Sequence, residues 1–100
     1  RRYEPVDAKI PARLGGGILK EFVEQEVPSG KLQRYALAYI NGAIFSGDNG
    51  RVLGYDNKHG YAHRHFMGTI TPEPDLTWEE IRAKFEKEWR EIAMQHVNGV

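Results

Sequence analysis

Three of the four histidines, His59, His63 and His65, fall within one short stretch, and Arg64 separates the last two. Around them, residues 51–68 carry the cations Arg51, Lys58 and Arg64 against a single acid, Asp56, together with Tyr55 and Tyr61. Imidazole is the side chain that gives and takes protons near neutral pH, and a fixed cation stabilises an anion that develops beside it. Cleavage of an RNA phosphodiester by its own 2′-hydroxyl needs a base, an acid and a cation, with no serine or cysteine nucleophile. The stretch suits that chemistry. His63 or His65 would carry the proton, Arg64, Lys58 or Arg51 would face the phosphate, and Asp56 would orient an imidazole or the loop.

Two other uses of the same residues stay open. His-x-His on one strand face, helped by Asp56 or His59, has the spacing of a divalent-metal site. Two histidines and one acid fall short of a closed ligand set, so neither a metal nor another cofactor is assigned. Alternatively, His63 and His65 are half-buried strand residues and Lys58 and His59 ordinary loop residues. Tyr55 and Tyr61 read first as packing residues and second as platforms on which RNA bases stack.

These side chains must be positioned by a hairpin. Arg51 to Asp56 reads as one strand and Tyr61 to Thr69 as the next, with the turn-forming residues Asn57 to Gly60 between them. Period two puts Tyr61, His63, His65 and Met67 on one face and Arg64 on the other. A loop of residues 57–60 would pair Asp56 with Tyr61, Gly54 with His63 and Val52 with His65, leaving open space over Gly54 opposite His63.

The remaining chain supplies the frame. Residues 1–17 show no sustained period and read as a flexible or extended segment with a short edge strand. Ile18 to Val27 favours a strand because Pro28-Ser29-Gly30 is a turn signal. Gln33 to Asn41 alternates Tyr35, Leu37 and Tyr39 with Ala36, Ala38 and Ile40, the pattern of a central strand covered on both faces. Pro72 and Pro74 stop the sheet, since proline cannot donate to a ladder. Thr77 with Glu80 makes a capping box, and Trp78, Ile81, Phe85, Trp89, Ile92 and His96 or Val97 form one apolar stripe of a long helix. Charged pairs four apart, such as Glu80 with Lys84 and Glu86 with Arg90, belong to its solvated face. The expected fold class is α+β: an antiparallel meander of about four strands with one C-terminal amphipathic helix packed on one face. Residues 18–100 form its single domain.

One hundred residues with 40% hydrophobic and 28% charged side chains suit one globular domain. No apolar run approaches the roughly 20 residues that cross a bilayer, so no membrane partner is expected. With no cysteine and no secretory h-region, a cytoplasmic setting is the expectation. The chain opens on Arg1 rather than Met, which reads as a trimmed or replaced start. Formal charge is zero overall, but residues 69–93 are acidic where 51–68 are basic, so the hairpin would attract an anion and the helix repel one.

Gly54-Tyr55-Asp56-Asn57, Gly60, His63-Arg64-His65 and Gly68, preceded by Arg34-Tyr35-Ala36-Leu37-Ala38-Tyr39 and followed by a C-terminal helix, resemble the TumE family over roughly residues 18 to 93. These small proteins are encoded beside a helix-turn-helix partner in prokaryotic toxin-antitoxin pairs. The resemblance implies a toxin neutralised by a DNA-binding antitoxin, with RNA as its target, and carries over to Tyr55, Asp56, Asn57, Gly60, His63, Arg64 and His65. Tyr61-Ala62 departs from the usual, more polar or glycine-containing pattern. A non-catalytic module that docks the antitoxin or a nucleic acid, or a metal-binding relative, is the alternative. Strand 18–27, if an edge, could be completed by a second copy or by the antitoxin.

Overall fold

The computed structural model describes residues 2, 3 and 6–99. Strands β1 (Arg2–Tyr3), β2 (Val6–Lys9), β3 (Ile18–Gln25), β4 (Leu32–Ile40), β5 (Arg51–Asp56), β6 (His63–Phe66) and β7 (Thr69–Pro72) precede helix α1 (Trp78–Val97). All pairings are antiparallel, in the order β1–β3–β4–β5–β6–β7, with β2 beside β1 on the same side of β3. The α+β meander and its single long helix are therefore as expected, with more strands than the four anticipated.

The additional strands have local causes. Met67 and Gly68 both take positive φ, 45° and 85°, the geometry of a two-residue hairpin turn that matches strand twist. It cuts the run expected over 61–69 into β6 and β7. Methionine rarely adopts that conformation, so the sequence carries only a weak turn signal there. At the other side, β1 and β2 cover β3. Among the described residues β3 is thus not an edge, and the strand 18–27 docking site for a second copy or an antitoxin is not present; β7 is the outer strand on the far side.

Tyr35, Leu37 and Tyr39 of β4 and Leu53 and Tyr55 of β5 are buried beneath Ile81, Phe85, Trp89 and Ala93 of α1. Each tyrosine meets one helix aromatic: Tyr39 with Trp89 at 5.6 Å, Tyr55 edge-on to Phe85 at 6.3 Å and Tyr35 with Trp78 at 6.1 Å. Such ring pairs add about 0.5–1.5 kcal/mol each beyond the area they bury. Thr77 caps the helix reciprocally with Glu80, as the sequence predicts. That cap occupies the Glu80 carboxylate, so Lys84 pairs with Glu73 instead of with Glu80, whereas Glu86 and Arg90 do pair at 3.3 Å. Ala93 belongs to the core because Gly15 lies directly on it; a Cβ on Gly15 would stand 2.6 Å from the Ala93 Cβ.

Only one face of the sheet is covered. The β4 residues Ala36 and Ala38, expected beneath a second layer, are exposed and half-buried. A single helix leaves the opposite face without a second layer, and small side chains there need no cover. No helix is long and apolar enough to cross a membrane.

Candidate functional site

The hairpin of β5 and β6 pairs Leu53 with Phe66, Gly54 with His65, Tyr55 with Arg64 and Asp56 with His63. The loop spans residues 57–62 rather than 57–60. Lys58 to Gly60 make a tight turn, and Tyr61 and Ala62 continue outside the ladder. The register therefore differs from the expected one by two residues. An even shift preserves faces, so His63 and His65 still share a face, the one away from the helix, where both are buried, at 5% and 7% exposure.

There they converge on Asp56. His63 Nε2 lies 2.8 Å from Oδ1, and His65 Nε2 lies 3.0 Å from Oδ2. The backbone N–H of Lys58 donates to Oδ1 at 3.1 Å. Arg51 completes the group, with Nη2 3.1 Å from His65 Nδ1 and Nε donating to Asp48 Oδ2 at 2.8 Å. Strict alternation would put Arg51 on the helix side with Leu53 and Tyr55. A β-bulge prevents this: Tyr39 pairs with Leu53 and Ile40 with Arg51, leaving Val52 as the extra residue. Gly54 is required for the same reason. The Arg51 stem runs over it, and a Cβ there would stand 2.9 Å from Arg51 Cδ and 3.2 Å from the Leu37 carbonyl oxygen. The open space expected over Gly54 is opposite His65, and Arg51 fills it.

The partners distinguish the two rings. A guanidinium only donates, so His65 Nδ1 must offer its lone pair and Nε2 must carry the hydrogen given to Asp56. Burial, then the Arg51 charge, hold the His65 imidazole below its ordinary 6.5, against the pull of Asp56. His63 faces acceptors on both sides, the Tyr61 carbonyl at 3.1 Å from Nδ1 and Asp56 from Nε2. A hydrogen on either ring nitrogen therefore has an acceptor to meet.

The group floors a hollow of about 240 Å³, lined also by Lys58, His59, Tyr61 and Ile70. Tyr61 is 58% exposed, and the exposed His59 ring stacks over His63 at 6.4 Å and 19°. His59 sits at φ 69°, a left-handed conformation that few non-glycine residues adopt and that concentrates at functional sites.

Two expected site residues are elsewhere. Arg64 points to the helix, where Nη2 donates to Glu88 Oε2 at 2.6 Å, and Tyr55 is buried with its hydroxyl on the same carboxylate. Period two in β5 and β6 sends both side chains away from the histidines. Burial and the neighbouring Glu91 push the Glu88 carboxyl up. Of the expected cations, Arg51 and Lys58 are at the hollow.

Asp56, His63 and His65 offer three donor atoms within 4.8 Å of one another. His63 suits a metal, since its Nδ1 hydrogen on a carbonyl would free Nε2 to ligate. His65 does not fit, because Arg51 fixes the hydrogen on the nitrogen that would have to ligate. The donor set is better described as a hydrogen-bonded chain. Asn57, expected as a turn-forming residue, also anchors the loop. Its side chain accepts from the Tyr35 backbone at 3.0 Å and donates to the Gln33 carbonyl at 2.9 Å.

The chain matches no protein-family model, no curated protein and no solved structure.

Proposed function

We propose that the chain is the toxin of a prokaryotic toxin-antitoxin pair, as its resemblance to the TumE proteins implies, and that it cleaves RNA at this hollow without a metal ion. The observation that carries the reading is His63, bonded at both nitrogens to acceptors, beneath the stacked and exposed His59. An acid needs a proton to give, which His63 is placed to hold. A base needs an accessible lone pair. His65 has lent its own to Arg51, whereas His59 forms no hydrogen bond among the described residues.

In this reaction the neutral His59 ring takes the proton of the RNA 2′-hydroxyl as its oxygen attacks phosphorus. The bond from phosphorus to the 5′-oxygen breaks, and His63 gives that oxygen its Nδ1 proton in exchange for its bond to the Tyr61 carbonyl, keeping the bond from Nε2 to Asp56. The products are a 2′,3′-cyclic phosphate and a 5′-hydroxyl end. Arg51 and Lys58 offset the charge gathering on the phosphoryl oxygens, while Asp56 and His65 hold His63 in place.

Purified protein incubated with RNA in EDTA tests this. Cleavage leaving cyclic phosphate ends is expected, with His59→Ala and His63→Ala each slowing it about 10²- to 10⁴-fold. Full cleavage by the double variant, or activity that EDTA removes and added zinc restores, would overturn it. A helix-turn-helix antitoxin is the partner implied. It should bind the protein and relieve the growth arrest that expression causes.

A second reading, a docking module without catalysis, draws on a specific observation: every ring nitrogen of His63 and His65 already has a partner within the chain. It predicts no cleavage together with a stable antitoxin complex.

A further inference from the structure

A second cavity, of about 290 Å³, lies beside the loop that carries Lys58 and His59, lined by Lys31, Leu32, Tyr35, Asn57, Tyr61, Asp75 and Leu76 among others. Tyr61 lines both cavities and is more than half exposed, so it forms the ridge between them. We propose that this cavity is a nucleobase subsite selective for guanine, stacked against Tyr61, in the nucleotide whose phosphate occupies the hollow over His63. The inference rests on the RNA-cleavage reading above.

The lining has the chemistry of that base. Guanine presents an acceptor, O6, beside two donors, N1–H and the N2 amino group. The Asp75 carboxylate has no hydrogen bond or ion pair among the described residues, and its two oxygens match two adjacent N–H donors. Lys31 supplies a donor for O6. The Tyr35 hydroxyl, whose pKa burial and then Asp56 and Asp75 push up to about 12, stays protonated and able to donate. Leu32 and Leu76 give the apolar wall opposite an aromatic platform. Adenine would set its N1 acceptor against the carboxylate. Cytosine and uracil offer less ring to stack on Tyr61. A guanidinium side chain from a protein partner would also fit between Asp75 and Tyr61, but Lys31 opposes a second cation.

Nucleotide binding to the whole chain tests the subsite apart from cleavage. Titration with the 3′-monophosphates of guanosine, adenosine, cytidine and uridine, read by tyrosine fluorescence, should show guanosine bound about tenfold or more tightly than the others. Asp75→Asn, with folding checked by circular dichroism, should abolish the preference for guanosine over adenosine, and Tyr61→Ala should weaken the two purine nucleotides most. Equal affinity for the four, binding of none, an unchanged preference for guanosine over adenosine in Asp75→Asn, or tighter binding of an arginine peptide than of the guanosine nucleotide would each overturn the proposal. Guanosine selectivity without RNA cleavage would sink the ribonuclease reading and leave the subsite standing. Cleavage without any base preference would do the reverse.

Discussion

The side chain of Arg51 lies across Gly54, and this contact presses its guanidinium against His65. Neither residue can change alone. Gly54→Ala would push a methyl into Arg51 Cδ and toward the Leu37 carbonyl, displacing the guanidinium from the cluster. A loss of about 1–3 kcal/mol is expected from urea unfolding. An unchanged midpoint would show that Arg51 repositions freely.

Protonation of His65 should oppose folding. Burial, Arg51 and His63 lower its folded value, while Asp56 raises it. Between that lowered value and the ordinary 6.5, the unfolded chain binds more protons than the folded one. Stability attributable to this ring is therefore complete above 6.5 and is lost as pH falls through the folded value. In an NMR titration Arg51→Met should move the His65 midpoint upward and Asp56→Asn should move it further down. A midpoint indifferent to both would contradict the arrangement.

Arg64 should matter to stability and not to cleavage. It shares Glu88 with Tyr55 on the helix side, so Arg64→Met leaves a half-buried carboxylate short of its donor, at about 1–3 kcal/mol. The variant that remains folded should cleave RNA within a few-fold of the parent rate. A loss of several orders of magnitude would return Arg64 to the chemistry.

Asn57→Ala removes two bonds that hold the loop to β4, the one accepted from the Tyr35 N–H and the one donated to the Gln33 carbonyl. A destabilisation of about 1–3 kcal/mol should follow, together with faster amide exchange at residues 58–62. Unaltered exchange there would mean that the turn is held by its own backbone.

Ala93→Leu would drive the helix off the Gly15 turn, since there is no room between them. Overpacking of this kind costs about 1–3 kcal/mol, visible as a lower melting temperature. A neutral result would mean that the N-terminal turn yields readily.

The helix was legible in the sequence because its signals are local: the Thr77 and Glu80 cap and an aromatic stripe repeating every three to four residues. The shared face of His63 and His65 was legible too, since period two survives any even slip of register. Local sequence could not count the loop at 57–62, because residues 61 and 62 have strand-like side chains and only cross-strand pairing decides whether they join the ladder. Nor could it anticipate the Met67 turn, made by a residue that rarely takes positive φ. Tertiary structure alone decided the membership of the site. The bulge at Val52 turned Arg51 to the face of the histidines, and the two-residue shift brought Asp56 to both rings. Residue types and period are properties of one strand, whereas register and bulges depend on how two strands meet under a common core.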